Sequence, residues 1–173
     1  MNHLYYSRPR RLLYWLFAVT VMWATISGYA NALRQPAPEI QQAIGFINVS
    51  LTTLLVPLFF LRLFYLINHP APALPTNLNP GRQILILIGH SALLVFLGTA
   101  LFSGVLMMSR PIDLFGLQLP APLQNQQTIS FFKALHQGIC LVLALLVAGH
   151  ISAAIHHQLR GHDVLKRMLP KRP

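Results

Sequence analysis

Two histidines, His136 and His150, stand fourteen residues apart within one strongly apolar segment. At 3.6 residues per turn that spacing returns to within about 40° of the same helix face, roughly 21 Å further along the axis. Ionisable groups inside a membrane are costly and rare, so two aligned imidazoles at two depths point to two stacked sites. Neutral imidazole is a metal ligand, and the usual tenant of such sites is b-type haem. Each haem then needs a partner side chain on another helix. His90, in a different apolar segment, lies at a depth comparable to His150 and is the third candidate. The plain alternative for all three is hydrogen bonding between membrane helices. Gly138 and Gly149 adjoin the pair and would let a flat macrocycle approach the backbone. His3, His69 and His162 fall in tails or loops. His156 and His157 close the last apolar segment, where a cationic imidazole suits a helix C-terminus.

Other chemistries find little support. Asp and Glu number three in total, none inside an apolar segment, which counts against hydrolysis and against a proton pump. There is no phosphate-binding glycine loop, no Cys-x-x-Cys and no His-Glu-x-x-His spacing. The single Cys140 excludes an intrachain disulfide and reads as a small packing residue.

The elements that must position these histidines follow from composition. Apolar residues make up 54% and charged residues 9%, against about 25% charged in soluble domains. Four apolar runs each reach the roughly 20 residues that a bilayer core requires. The chain therefore reads as one all-α membrane domain over 1–173, a four-transmembrane-helix bundle with helices near 12–31, 44–67, 83–108 and 134–158. Helix one begins like a secretory signal and carries Ala30-Asn31-Ala32, but its apolar run exceeds most signal cores, so a retained helix is expected. Pro57 should kink helix two. The turn from His69 to Pro75 is proline-rich and stiff. The long connection 109–132 includes the apolar stretch from Phe115 to Pro120, which is expected to fold back onto the bundle or the membrane interface.

The formal charge of +10 raises nucleic acid as a partner, but its placement favours lipid. Ten of the thirteen Lys and Arg residues, among them Arg8, Arg10, Arg62, Arg82 and Arg160, fall on one side of the expected bundle. Only Arg34, Arg110 and Lys133 fall on the other. By the positive-inside rule both termini are expected in the cytoplasm, with the tail cations touching anionic headgroups. No nucleic-acid partner is expected.

The stretch from Leu135-His136-Gln137 to Gly149-His150-Ile151-Ser152-Ala153-Ala154, followed by His156-His157 and Leu165-Lys166-Arg167-Met168-Leu169-Pro170, resembles the bacterial cytochrome b561 family, which includes superoxide oxidase. Gly89-His90, the segment from Phe115 to Pro120, the proline-rich turn and the basic start before Tyr14-Trp15 extend the resemblance over nearly the whole chain. It implies a multi-pass cytochrome of the bacterial inner membrane with two b haems, passing electrons between quinone and an external donor such as superoxide.

Two departures matter. The family has a histidine where this chain has Tyr14, and another where it has Asn48, within Asn48-Val49-Ser50. By family geometry Tyr14 would face His150 and Asn48 would face His136, so each site has lost one histidine. Tyrosinate can ligate ferric haem, as in catalase; a neutral Tyr can equally be a packing residue. Asn is a poor ligand, which would leave a haem iron on His136 open to a small molecule. Alternatively His90 replaces Tyr14 as the partner of His150. Arg62 is a candidate partner of a haem propionate or a lipid headgroup. The expected function is electron transfer through one or two atypically ligated b haems, a superoxide- or quinone-linked oxidoreductase. The alternative is a haem-free structural or accessory subunit bound to other membrane subunits.

Overall fold

The computed structural model describes residues 8–69 and 79–160. His3, His162, most of the proline-rich turn and the basic tail, with its Leu165–Pro170 stretch, lie outside the described residues. The chain forms α1 (Arg8–Arg34), α2 (Pro38–Asn68), α3 (Pro80–Leu106), a hairpin of β1 (Ile112–Leu114) and β2 (Leu117–Leu119), and α4 (Gln126–Leu159). All four helices are long and apolar enough to span a membrane. At 27, 31, 27 and 34 residues they reach about 40–50 Å, beyond the ~30 Å hydrocarbon core. Each therefore continues into the headgroup region, past the apolar run that marks it in the sequence. Four successive spans leave the start of α1 and the end of α4 at one end of the bundle, here termed the basic end. The hairpin marks the other.

Local signals set the helix starts. Pro38 and Pro80 occupy first-turn positions, where no amide hydrogen bond is lost. Asn79 accepts from the Gly81 amide at 2.9 Å. Asn125 accepts from Gln127 at 2.9 Å and Thr128 at 3.1 Å, which caps α4 eight residues before the expected position 134. His136 consequently lies ten residues inside its helix rather than near the end. α2 runs unbroken through Pro57.

The most extensive packing is α3 on α4, followed by α1 on α2; α2 joins the pairs through α3. A core from all four helices sits at mid-depth and includes Phe17, Leu55, Phe59, Leu97, Leu101 and Leu143. At the α2–α3 crossing a Cβ on Gly98 would stand 2.7 Å from the Phe59 ring, so only glycine admits this approach. Phe59 then meets Phe102 edge-on at 6.3 Å.

The 109–132 connection does fold back. Ile112 is buried, and the fully buried Ser50 of α2 donates to the Asp113 carbonyl at 2.8 Å. Phe115 (φ 52°) and Gly116 (φ 95°) form the turn with both residues at positive φ, the requirement of a type I′ hairpin. Positive φ is unfavourable for phenylalanine. Its ring stacks edge-on with Phe46 at 5.8 Å, and the Asp113 carboxylate accepts from the Gly116 amide at 2.7 Å.

Candidate functional site

His136, Leu143 and His150 recur every seven residues and form one column on α4. His90, Leu97 and Gly104 form the matching column on α3. Seven residues are nearly two turns, so each column stays on one face. The helices are antiparallel, and the columns meet rung by rung. The His90 and His150 rings stand 5.5 Å apart at 75°. Leu97 and Leu143 share the buried core. At the last rung, a Cβ on Gly104 would lie 3.0 Å from the His136 ring. Both α4 histidines thus face α3.

Toward the hairpin end His136 is fully engaged. Its Nδ1 lies 3.0 Å from the Ala100 carbonyl and 3.2 Å from Ser103 Oγ. The Ser103 hydroxyl donates to Thr99 O at 2.6 Å, so Nδ1 carries the proton and shares it between Ala100 and Ser103. Nε2 then accepts from the Cys140 thiol, 3.4 Å away on the next turn. Asn48 is turned elsewhere: Ser27 Oγ, 2.7 Å from the Trp23 carbonyl, is also 3.0 Å from Asn48 Oδ1. The structure therefore bonds Asn48 to α1 and His136 to α3. Asn31 Oδ1 is buried near this end of α1 with no donor among the described residues; it calls for a hydrogen-bond donor, which haem iron is not. This donor set does not fit a six-coordinate haem.

The basic end is different. His90 shares a column with buried Leu97 yet is exposed, and His150 is half-buried, so the rung is open. His90 donates from Nδ1 to the Ile86 carbonyl at 2.8 Å, leaving Nε2 with its lone pair. That is the usual arrangement of a metal-ligating histidine, although the direct ring contact between His90 and His150 in the α3–α4 seam leaves no room for a macrocycle between them. Arg62 lies over the Phe17 ring at 5.3 Å, with Tyr14 and Arg10 as electrostatic neighbours. Tyr14 stacks edge-on with Trp15 at 5.5 Å. It is grouped with Arg62 on the α1–α2 side, whereas His150 meets His90. The two carboxylates among the described residues, Glu39 and Asp113, are both at the hairpin end, so no described carboxylate stands beside Arg62.

Three other features bear on the site. Gly138 and Gly149 are exposed with nothing within 4 Å of a built Cβ. An apolar cavity of about 420 Å³ runs between α2, α3 and α4, lined by Phe59, Leu94, Gly98, Phe102, Ser103 and Phe132 among others. Its hydroxyls are satisfied by their own helix, so it offers little to orient a polar ligand. Among the described residues no three His, Cys, Asp or Glu side chains gather as a metal cluster. Sequence reasoning missed Ala100, Ser103, Gly104 and Cys140 as the setting of His136. The signal was present in the two matching seven-residue columns.

No curated protein matches the chain. Residues 5–171 match the family model described as prokaryotic cytochrome b561. That match spans nearly the whole sequence and agrees with four membrane-spanning helices and a histidine column inside the bundle, so the chain belongs to the prokaryotic cytochrome b561 family.

Proposed function

We propose that the protein is an integral-membrane electron-transfer protein that holds b-type haem with atypical ligation and exchanges electrons between quinone and a small redox partner such as superoxide. The family is one of membrane b-type cytochromes, and its four-span members are multi-pass proteins of the bacterial inner membrane. The observation that carries the reading is the histidine column on the bundle-facing side of α4, with an open two-histidine rung at His90 and His150.

When bound, haem supplies a one-electron couple whose potential its axial ligands and surroundings tune. The chain's residues supply the rest. His150 offers an imidazole from α4, and the Ile86 carbonyl fixes the His90 tautomer. Arg62, held over Phe17, would take a propionate. The Leu97–Leu143 rung excludes water behind the histidines. Tyr14, beside Arg62, offers a hydroxyl to the same anionic group.

A visible spectrum of the detergent-purified protein, oxidised with ferricyanide and reduced with dithionite, tests this. A Soret band and a reduced alpha band are expected, with oxidation of the reduced protein by a short-chain quinone. No Soret band after expression with haem supplementation overturns the reading. The second reading, a haem-free accessory subunit, draws on the hydrogen bonds that commit His136 and Asn48 to other helices. It expects no Soret band and co-purification with other membrane subunits.

A further inference from the structure

We infer that the β1–β2 hairpin is a membrane-surface anchor, with Phe115 as an apolar wedge at the boundary between acyl chains and headgroups. The inference goes beyond the electron-transfer reading and stands with or without haem.

The turn carries the first observation. Its first central position needs positive φ, which asparagine and glycine adopt readily and a bulky aromatic does not. The chain nevertheless places Phe115 there, at φ 52°. Packing among the described residues does not account for the choice. The ring meets Phe46 edge-on, yet Phe115 stays 57% exposed and Leu117, across the turn, 60% exposed. A residue that costs the turn and leaves more than half its surface bare stabilises the fold when something apolar covers it.

Depth identifies the cover as lipid. α2 has 31 residues, about 46 Å, so centred on a ~30 Å hydrocarbon core it overhangs by about 8 Å at each end. Phe46, eight residues after Pro38, then lies about 4 Å inside the boundary. Ser50, which holds the Asp113 carbonyl, lies about 10 Å inside. By the same reckoning Arg62, six residues before Asn68, falls at the opposite boundary, where a long cation can reach the headgroups. The hairpin root is thus buried in protein at membrane depth, and the tip emerges where acyl chains meet headgroups. Its polar groups suit that place, because the Asp113 carboxylate accepts from the Gly116 amide at 2.7 Å and from Gln118 Nε2 at 2.9 Å. The acid is satisfied within the hairpin, as a water-poor setting requires. Phe131, five residues into α4 and also exposed, falls within about 3 Å of the same boundary. With exposed Arg110 and Lys133, these rings have the make-up of an interfacial surface, apolar groups for acyl chains and cations for phosphates.

The test uses the full-length protein in liposomes of phosphatidylethanolamine and phosphatidylglycerol. Leu117→Cys, in a Cys140→Ser background, carries a nitrobenzoxadiazole dye. Lipids with a nitroxide near the headgroup should quench the dye strongly, while acyl-terminal and water-soluble nitroxides should quench it weakly. Phe115→Trp should keep that pattern. Phe115→Asn supplies the residue that the turn prefers, so lipid quenching should fall and aqueous quenching rise. The hairpin root, fastened by Ser50, should meanwhile keep its amide protection at Ile112–Leu114. Quenching by the aqueous nitroxide alone would place the tip in water, and protection from every quencher would place it against a second copy or another protein. Either result overturns the inference. So does unchanged lipid quenching in Phe115→Asn, or loss of root protection there, which would show that Phe115 serves packing on Phe46 instead.

Discussion

His136 and His150 are the same side chain on the same face of one helix, yet their surroundings assign them opposite tasks. His136 is buried in bonds to Ala100, Ser103 and Cys140, so it behaves as interhelical polar glue. His150 meets another imidazole at an open rung. The contact that holds His136 depends on a missing side chain, and this is testable. Gly104→Val should push the His136 ring off Ala100 and destabilise the protein by about 1–3 kcal/mol, the usual cost of overpacking. Thermal unfolding in detergent would register the loss, with Gly89→Ala as the comparison, since nothing stands within 4 Å of a Cβ there. The fourteen-residue interval showed that the two histidines share a face. It could not show which neighbour that face meets, because a helix wheel has no partner.

At the scale of elements, the α3–α4 seam and the hairpin do the positioning. The rungs imply that Leu93 and Val147, one turn toward the basic end from Leu97 and Leu143, lie opposite each other; both pack on the shared core. Leu93→Cys with Val147→Cys, in a Cys140→Ser background, should cross-link on mild oxidation and shift in non-reducing electrophoresis. Leu93→Cys with Val142→Cys should not, since Val142 is on the exposed side of α4. The hairpin is fastened through Ser50, and Ser50→Ala would leave the Asp113 carbonyl without its buried donor. A cost of about 1–3 kcal/mol is expected, read as faster amide exchange across 112–119. The hairpin's turn was hidden in the sequence because Phe-Gly lacks the Asn-Gly signature of a type I′ turn. The early start of α4 was hidden for another reason: the eight residues before position 134 are mixed in polarity, so hydrophobicity marks where the bilayer begins and not where the helix does.

At the scale of the molecule, the bilayer is the solvent, and charge decides orientation. Exposed Leu, Ile, Val and Phe side chains cover all four helices, as lipid contact demands. The asymmetry of Lys and Arg, with Arg10, Arg11, Arg62 and Arg82 at the basic end against Arg34, Arg110 and Lys133 at the other, predicts that the basic end faces the cytoplasm. A green fluorescent protein fused after residue 173 should therefore fluoresce, and an alkaline phosphatase at the same place should be inactive. The reverse result would invert the bundle.

By itself the sequence determined the membrane class, the four spans, the family and the face on which the α4 histidines lie, because each depends on local composition, spacing or motif. Only the tertiary structure decided that this face meets α3, that Asn48 turns to Ser27, and that His90 completes the rung of His150. Those outcomes depend on helix rotation and close approach, which glycines at positions 98 and 104 permit and which no single helix can specify.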